Sequence, residues 1–185
     1  MSTASFSRFF GLLTIGAWAA TVAVWVLAWM HRRAPQSAAG AVFEDVGEVA
    51  LWLAALVAIV TMAGSLYFSE VAHFIPCKLC WYQRIAMYPL GITLLVAAIR
   101  RDTRVWWYVV PPAVIGALFA IYHTQLQAFP HQHSSFCTVT EPCTVRYVWE
   151  FGFVSLPLMA LTAFTLVITL VLTARATDAS LTDRL

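Results

Sequence analysis

Five apolar stretches, each about 20 residues long, most constrain how this chain can fold. With a helical rise of about 1.5 Å per residue, about 20 residues are needed to cross the roughly 30 Å hydrocarbon core of a bilayer. Each stretch is therefore predicted to form a transmembrane helix. The stretches are residues 9–30, 49–68, 81–99, 107–126 and 153–174.

The composition fits a membrane protein and argues against two other classes. Of the 185 residues, 61% are hydrophobic and 11% are charged, against about 25% charged in soluble domains. These charges are too few to cover the surface of a soluble domain. The net charge is +2 and the arginines are scattered between apolar stretches, so a nucleic-acid-binding surface is not expected. We predict an all-α integral membrane protein with five transmembrane helices.

The first apolar stretch has an alternative interpretation as a cleaved signal peptide. A signal peptide has an apolar core of about 7–15 residues followed by a small-residue cleavage site. The stretch 9–30 is longer, and the basic residues 31–33 follow it. We therefore predict a retained helix, with residues 1–37 forming this helix and a cytoplasmic loop.

Lysine and arginine residues near the ends of the stretches predict the orientation, because they are enriched in cytoplasmic loops. If the loop 100–104 faces the cytoplasm, alternation of the helices places seven basic residues inside and four outside. The N-terminus is then outside, the C-terminus is inside, and all four cysteines are outside. The seven inside residues are Arg32, Arg33, Arg100, Arg101, Arg104, Arg175 and Arg184; the four outside are Arg8, Lys78, Arg84 and Arg146.

The first cysteine pair, Cys77 and Cys80, forms a C-x-x-C motif at the predicted start of the third helix. A helix N-terminus and a nearby cation both stabilise a thiolate. The helix dipole contributes about 0.3–1 kcal/mol, which is less than the roughly 1.4 kcal/mol of one pKa unit. Arg84 lies four residues after Cys80 on the same helix face, so we expect it to supply a second contribution.

The second pair, Cys137 and Cys143, lies in the polar loop 127–152. In an oxidising outer compartment such a pair is expected to form a disulfide. A polar surface loop also suits a sulfur that must be presented to another protein. Two cysteine pairs on one face of the membrane favour a relay of thiol–disulfide exchange.

Two interpretations in which the cysteines carry no redox chemistry remain open. Either pair could be a structural disulfide, although a C-x-x-C disulfide closes a very small loop and stabilises little. The cysteines could also hold zinc together with His131 and His133, although the second pair does not repeat the C-x-x-C spacing. A relay would need an electron acceptor, and no nucleotide-binding motif is present. A membrane quinone would fit, with Arg84, His123 and the ring of Trp81 or Tyr82 as candidate contacts.

Residues 76–84, Pro-Cys-Lys-Leu-Cys-Trp-Tyr-Gln-Arg, and the following Met87-Tyr88-Pro89 resemble the bacterial DsbB family of disulfide-forming membrane oxidoreductases, and specifically its BdbC-like branch. The resemblance covers about residues 67–172. Supporting matches are His123-Thr124-Gln125-Leu126-Gln127 and Trp149-Glu150-Phe151 with Pro157.

The resemblance implies a four-helix redox bundle, here residues 38–176, in a bacterial cytoplasmic membrane, followed by a cytoplasmic tail, 177–185. Such a protein reoxidises an extracytoplasmic DsbA-like thioredoxin-fold partner and passes two electrons to a membrane quinone, either ubiquinone or menaquinone. The resemblance implies that Cys77 and Cys80 are the membrane-proximal pair, with Cys80 at the quinone. It implies that Arg84 and His123 contact the quinone. It further implies that Cys137 and Cys143 exchange with the partner, with Cys137 forming the mixed disulfide.

The chain departs from this family pattern in two places. The first apolar stretch has no counterpart in the four-helix family core. The second pair is separated by only five residues, which leaves open whether Cys137 or Cys143 forms the mixed disulfide. The alternative functions are a quinone reductase resembling vitamin K epoxide reductase and a non-catalytic membrane scaffold with structural disulfides.

Overall fold

The structure is a computed structural model that describes residues 3–132, 136–137 and 143–182. In these ranges it contains five long α-helices, each long and apolar enough to cross a membrane. The predicted all-α membrane fold is therefore confirmed. The helices are α1 (Thr3–Arg33), α2 (Ala38–Leu66), α3 (Lys78–Arg100), α4 (Trp106–Ala128) and α5 (Leu156–Thr182).

Each of the five helices extends beyond its predicted apolar stretch at one end or at both, although α2 ends two residues early, at Leu66, and α5 begins three residues late, at Leu156. A helix continues for as long as its backbone hydrogen bonds are made, and polar residues at the membrane ends can still make them. The N-terminal end of α2, for example, begins 11 residues before residue 49, at Ala38, and the Ser37 side chain caps it by accepting a hydrogen bond from the Gly40 amide.

Helix α4 begins one residue before its predicted stretch, 107–126, and contains Pro111 and Pro112. A 3₁₀ turn, Thr103–Val105, precedes the helix, and the Asp102 side chain accepts a hydrogen bond from the Arg104 amide. This cap starts the helix at Trp106. The two prolines therefore lie one turn inside α4.

Helices α2 to α5 pack into a bundle around an apolar core, with α5 packed against both α2 and α4. Small residues allow close approach in this core. At Gly116 of α4, for instance, an added Cβ would overlap the ring of Phe164 from α5, which is fully buried. Helix α1 lies outside the bundle, against α2 and α5.

The α2–α3 and α4–α5 connections meet at one end of the bundle. The first begins with a π-helical turn, Tyr67–Val71, and runs to Cys77, the N-cap of α3. The second carries a β-bridge between Glu150 and Val154. The start of α1 lies at the same end, since Arg8 forms an ion pair of 3.9 Å with Glu150. All four cysteines belong to these two connections or to the first turn of α3.

Candidate active site

Cys77 and Cys80 lie together at the N-terminus of α3. Cys77 is the N-cap residue, with an extended backbone, and Cys80 is in the first turn. Both are free thiols, and their sulfur atoms are 3.2 Å apart. Cys77 is buried and Cys80 is half-buried. The pair is therefore close enough to exchange a proton or to close into a disulfide.

The pKa of the Cys77 thiol is lowered to about 4. The main cause is the hydrogen bond that the Cys80 thiol donates to the Cys77 sulfur. Burial opposes this shift, whereas hydrogen bonds from His123 and from the Cys80 backbone amide add to it. Cys77 is therefore the thiolate of the reduced pair near neutral pH. A lowered pKa of this kind is typical of reactive cysteines at helix N-termini.

The His123 side chain is buried in α4, and it contacts both cysteine pairs. Its Nδ1 lies 3.1 Å from the Gln83 amide nitrogen, which is a donor. The Nε2 atom therefore carries the proton of the neutral ring and donates to the Cys143 carbonyl oxygen at 3.1 Å. The same Nε2 is 3.8 Å from the Cys77 sulfur. His123 is buried although it lies near the end of α4, because the helix continues to Ala128 and the Cys143 backbone contacts its ring.

Cys137 and Cys143 form a disulfide. Cys143 is only 1% exposed and belongs to a buried cluster with Cys77, Leu79 and Leu126. Cys137 is half-buried at the edge of that cluster. The two pairs thus share one buried cluster, and the His123 Nε2 atom links Cys77 to Cys143.

Arg84 is held in place by Ser65 of α2. The Arg84 Nε donates to the Ser65 hydroxyl and its Nη2 donates to the Ser65 carbonyl, both at 3.0 Å. The Tyr88 hydroxyl also donates to the Ser65 hydroxyl, at 3.3 Å. The guanidinium group lies 5.3 Å from the centre of the Trp81 ring. Within the described part of the chain no carboxylate forms a salt bridge with Arg84, so its positive charge is available at this site.

A cavity of about 550 Å³ lies next to Cys80. Its polar lining comprises Gln83, Arg84 and Tyr88 of α3, His123 of α4 and several hydroxyl side chains, and the rest of the lining is mostly apolar. Binding sites for small molecules are typically apolar cavities of about 300–1,000 Å³ with a few placed polar groups. The cavity therefore has the size and polarity of a binding site for a largely apolar molecule.

All six predicted site residues lie around this cavity or in the adjoining cysteine cluster: Cys77, Cys80, Arg84, His123, Cys137 and Cys143. Neither Trp81 nor Tyr82 lines the cavity. Trp81 is half-exposed, and the Tyr82 ring stacks on Phe119 with centroids 4.9 Å apart. The aromatic residues that do line it are Phe9, Phe10, Phe68, Phe74, Tyr88, Tyr147 and Phe164.

Sequence reasoning missed two polar residues that hold the site together, Gln83 and Ser65. Gln83 lies within the motif 76–84, so its position in the sequence could have marked it as a site residue. Ser65 lies in an apolar helix, 19 residues before Arg84, and nothing in the local sequence indicates the contact.

The residues that could bind a metal ion in the structure differ from the zinc ligands considered from the sequence, which included His131 and His133. The Cys77 and Cys80 sulfurs and a ring nitrogen of His123 lie within 4.8 Å of one another. Among the described residues this group has three members, one fewer than the four ligands of a structural zinc site. His131 is exposed, and His133 lies outside the described residues.

Comparison with known proteins identifies relatives that cover most of the bundle. The sequence profile described as "Disulfide bond formation protein DsbB" matches residues 47–174. Disulfide bond formation protein C of Bacillus subtilis (strain 168) is 48% identical over 121 residues, which are 65% of this chain and 88% of that protein. Probable disulfide formation protein C of Halalkalibacterium halodurans is 43% identical over 117 residues, 63% of this chain and 83% of that protein. No solved structure gives a significant match.

The profile match covers more than half of the chain and includes both cysteine pairs, Arg84 and His123. It begins within α2, so α1 lies entirely before it. The family names indicate a membrane oxidoreductase that forms disulfide bonds. The chain therefore belongs to the DsbB family of disulfide bond formation proteins, in the branch of the Bacillus disulfide formation proteins C.

Proposed function

We propose that the protein is a thiol:quinone oxidoreductase. It takes two electrons from a reduced, extracytoplasmic, DsbA-like thioredoxin-fold partner and passes them through its two cysteine pairs to a membrane quinone. The observation that carries this proposal is the arrangement of the two pairs around His123. Cys143 lies in the same buried cluster as Cys77, His123 Nε2 is close to both residues, and Cys80 borders the cavity. This arrangement supports an electron path from the partner through Cys137–Cys143 and Cys77–Cys80 to the acceptor.

The first exchange takes place at the Cys137–Cys143 disulfide. A partner thiolate attacks one sulfur, and the other leaves as a thiolate. Attack requires access, and Cys137 is half-buried whereas Cys143 is 1% exposed. This difference favours Cys137 as the residue that forms the mixed disulfide. The second partner thiol then releases the partner as a disulfide and leaves Cys137 and Cys143 reduced.

The second exchange moves the electrons to the membrane-proximal pair. The Cys143 thiolate attacks Cys77 of the oxidised Cys77–Cys80 disulfide, and Cys80 leaves. Cys137 then attacks Cys143, which restores the outer disulfide and releases Cys77. His123 Nε2–H is 3.8 Å from the Cys77 sulfur and can donate to it as it leaves. Cys77 and Cys80 gain the same two electrons that Cys137 and Cys143 lose.

The residues around the cavity fit a quinone as acceptor. A bound quinone would supply the capacity to take up two electrons and two protons; the reduced pair would give both electrons and the Cys80 proton, and the second proton would come from water, because Cys77 is already a thiolate. Arg84 stays charged when it is partly desolvated, and Ser65 fixes its guanidinium group near Cys80. It would stabilise negative charge on a quinone oxygen or on the Cys80 sulfur. The apolar remainder of the cavity suits an isoprenoid tail.

The orientation in the membrane follows from the same proposal. The cysteine-bearing end faces the extracytoplasmic side of a bacterial cytoplasmic membrane, with the N-terminus outside and the C-terminus inside. The distribution of seven basic residues inside against four outside supports this orientation. Arg184, one of the seven, lies outside the described residues. The packing of both pairs at one end supports it as well, because a disulfide relay requires an oxidising compartment.

Quinone reduction by the purified protein tests the proposal. Detergent-solubilised protein receives a reduced thioredoxin-fold donor, and quinone absorbance is followed with ubiquinone and menaquinone analogues. We expect quinol formation that stops in both Cys80→Ser and Cys137→Ser. Absence of turnover with every analogue, in protein shown to be folded, would remove the oxidase assignment. Faster reduction of a quinone epoxide than of the quinones would favour the alternative function, a reductase resembling vitamin K epoxide reductase.

A further inference from the structure

Helix α1 lies outside the family match, yet it forms one wall of the cavity beside Cys80. Its wall residues are Phe9, Phe10, Leu13, Thr14 and Ala17. Most of these follow the spacing of one helix face, at 10, 13, 14 and 17. Cys80 and Arg84 line the same cavity. The element that distinguishes this chain from the family core thus reaches the proposed acceptor site.

Specific contacts hold α1 against the bundle on both sides of the cavity. On the α2 side the Phe10 ring lies over Gly64, where an added Cβ would overlap it. The Phe6 ring stacks on Tyr67 with centroids 3.5 Å apart. These contacts fix the N-terminal half of α1 at the end of the bundle that carries the cysteines.

On the α5 side two tryptophans of α1 donate hydrogen bonds to threonines. The Trp18 indole donates to the Thr162 hydroxyl, and the Trp25 indole donates to Thr169 at 3.0 Å. The donors and the acceptors are each seven residues apart, so the two helices keep one register over two turns. These two hydrogen bonds fix the orientation of α1 about its own axis, so that its wall residues face the cavity.

The chemistry of the wall that α1 supplies is apolar. Its hydroxyl-bearing member, Thr14, donates to the Phe10 carbonyl of its own helix at 2.8 Å. Thr61 and Thr162, which also line the cavity, likewise donate to carbonyls of their own helices. The charged lining residue, Arg84, lies on α3 together with Cys80. A quinone has a polar ring that must reach the cysteine sulfur and a tail without polar groups, so the residues near Cys80 suit the ring and the apolar α1 wall suits the tail.

We propose that α1 is part of the quinone site: its face 10–13–14–17 contacts the isoprenoid tail and closes the cavity against lipid. This inference rests on the proposed function. It makes α1 an element that determines how tightly tailed quinones bind, whereas the cysteine chemistry stays with α3 and the two loops. The ring contacts near Cys80 are then shared with the family, and the tail contacts are a property of this chain.

A matched pair of tryptophan substitutions on α1 tests this inference by kinetics. Leu13→Trp fills the cavity from the wall, and Leu12→Trp places the same side chain at a position that is 59% exposed and outside the wall. For Leu13→Trp we expect KM for a tailed quinone to rise on the order of tenfold, with kcat little changed. KM for a quinone without a tail, and the rate of exchange with the reduced partner, should stay at the wild-type values. Leu12→Trp should behave as the wild type in all these measurements.

Photolabelling of the wild-type protein tests the same inference without a variant that must fold. The probe is a quinone that carries an azide at the end of a short isoprenoid tail, and labelled peptides are located by mass spectrometry. We expect labels on residues 9–17, competed by unlabelled tailed quinone. Labels confined to α2–α5, or equal KM values for the two tryptophan variants, would overturn the role of α1 while leaving the oxidase intact. Failure of the wild type to reduce any quinone would overturn both proposals.

Discussion

At the residue scale, the site depends on polar contacts between side chains that are distant in the sequence. Gln83 fixes the tautomer of His123, and His123 then donates towards Cys143 and Cys77. Ser65 holds Arg84 through two hydrogen bonds. Each of these residues orients a group that acts on sulfur, so replacing it should alter one step of the relay more than the others.

Replacement of Arg84 should separate the two half-reactions. Arg84→Ala removes the charge beside Cys80, so quinone reduction should slow on the order of 100-fold, as when one transition-state donor is removed from other enzymes. Exchange between the partner and the Cys137–Cys143 disulfide should be unchanged. Stopped-flow measurement of each half-reaction checks this, with the exposed cation Lys78 replaced by alanine as the control. Equal loss of both half-reactions would indicate misfolding and contradict the assigned role.

Replacement of His123 should raise the pKa of Cys77. The hydrogen bond from His123 stabilises the thiolate, and its loss in His123→Ala moves the pKa up from about 4 towards the ordinary value of 9.0. The thiolate of the reduced wild type therefore persists as the pH falls to about 4, whereas that of the variant is protonated at a higher pH. Ultraviolet thiolate absorbance during a pH titration measures the change. In His131→Ala, at an exposed loop position, the Cys77 thiol should titrate as in the wild type. An unchanged Cys77 pKa in His123→Ala would contradict the contact between His123 and Cys77.

At the element scale, hydropathy predicts the number and type of the helices but not their ends or contacts. The apolar stretch 49–68 indicates α2, yet the helix starts at Ala38 because Ser37 caps it. The C-x-x-C motif was correctly expected at a helix start, since Cys77 is the N-cap of α3. The Ser65–Arg84 contact was not expected, because two helices must pack before those residues meet.

Close helix packing in the bundle can be tested at two glycines. Gly116→Ala places a Cβ against the ring of the fully buried Phe164 and should destabilise the protein by about 1–3 kcal/mol, as overpacking does. Gly16→Ala of α1 has open space around the added Cβ and should stabilise the helix by about 0.5–1 kcal/mol. Thermal unfolding in detergent, followed by circular dichroism, measures both effects. Equal stability of the two variants would contradict the packing of α4 on α5.

At the scale of the whole molecule, five helices bring two loops, far apart in the chain, to one end of a bundle. The sequence predicts this because alternation across a membrane places every second connection on the same side. It does not predict that Cys143 is buried in one cluster with Cys77, since loop packing leaves no periodic signal. Nor does it predict that α1 borders the cavity, because an apolar helix exposed to lipid and one that lines a site have similar compositions.

Reporter fusions test the orientation of the whole molecule. Green fluorescent protein at the C-terminus should fluoresce in cells, because we place that end in the cytoplasm. Alkaline phosphatase at the same position should be inactive, whereas alkaline phosphatase inserted after residue 131 should be active outside. The reverse pattern would place the cysteines in the reducing compartment and contradict the proposed orientation.

The proposed relay depends on direct exchange between the two cysteine pairs, through Cys77 and Cys143. The double variant Cys80→Ser/Cys137→Ser retains only these two cysteines, and mass spectrometry of its non-reduced peptides shows whether they are joined. We predict an intramolecular Cys77–Cys143 disulfide in high yield, and a much lower yield of Cys80–Cys143 in Cys77→Ser/Cys137→Ser. Free thiols at Cys77 and Cys143 in folded protein, or a preference for Cys80, would contradict the relay.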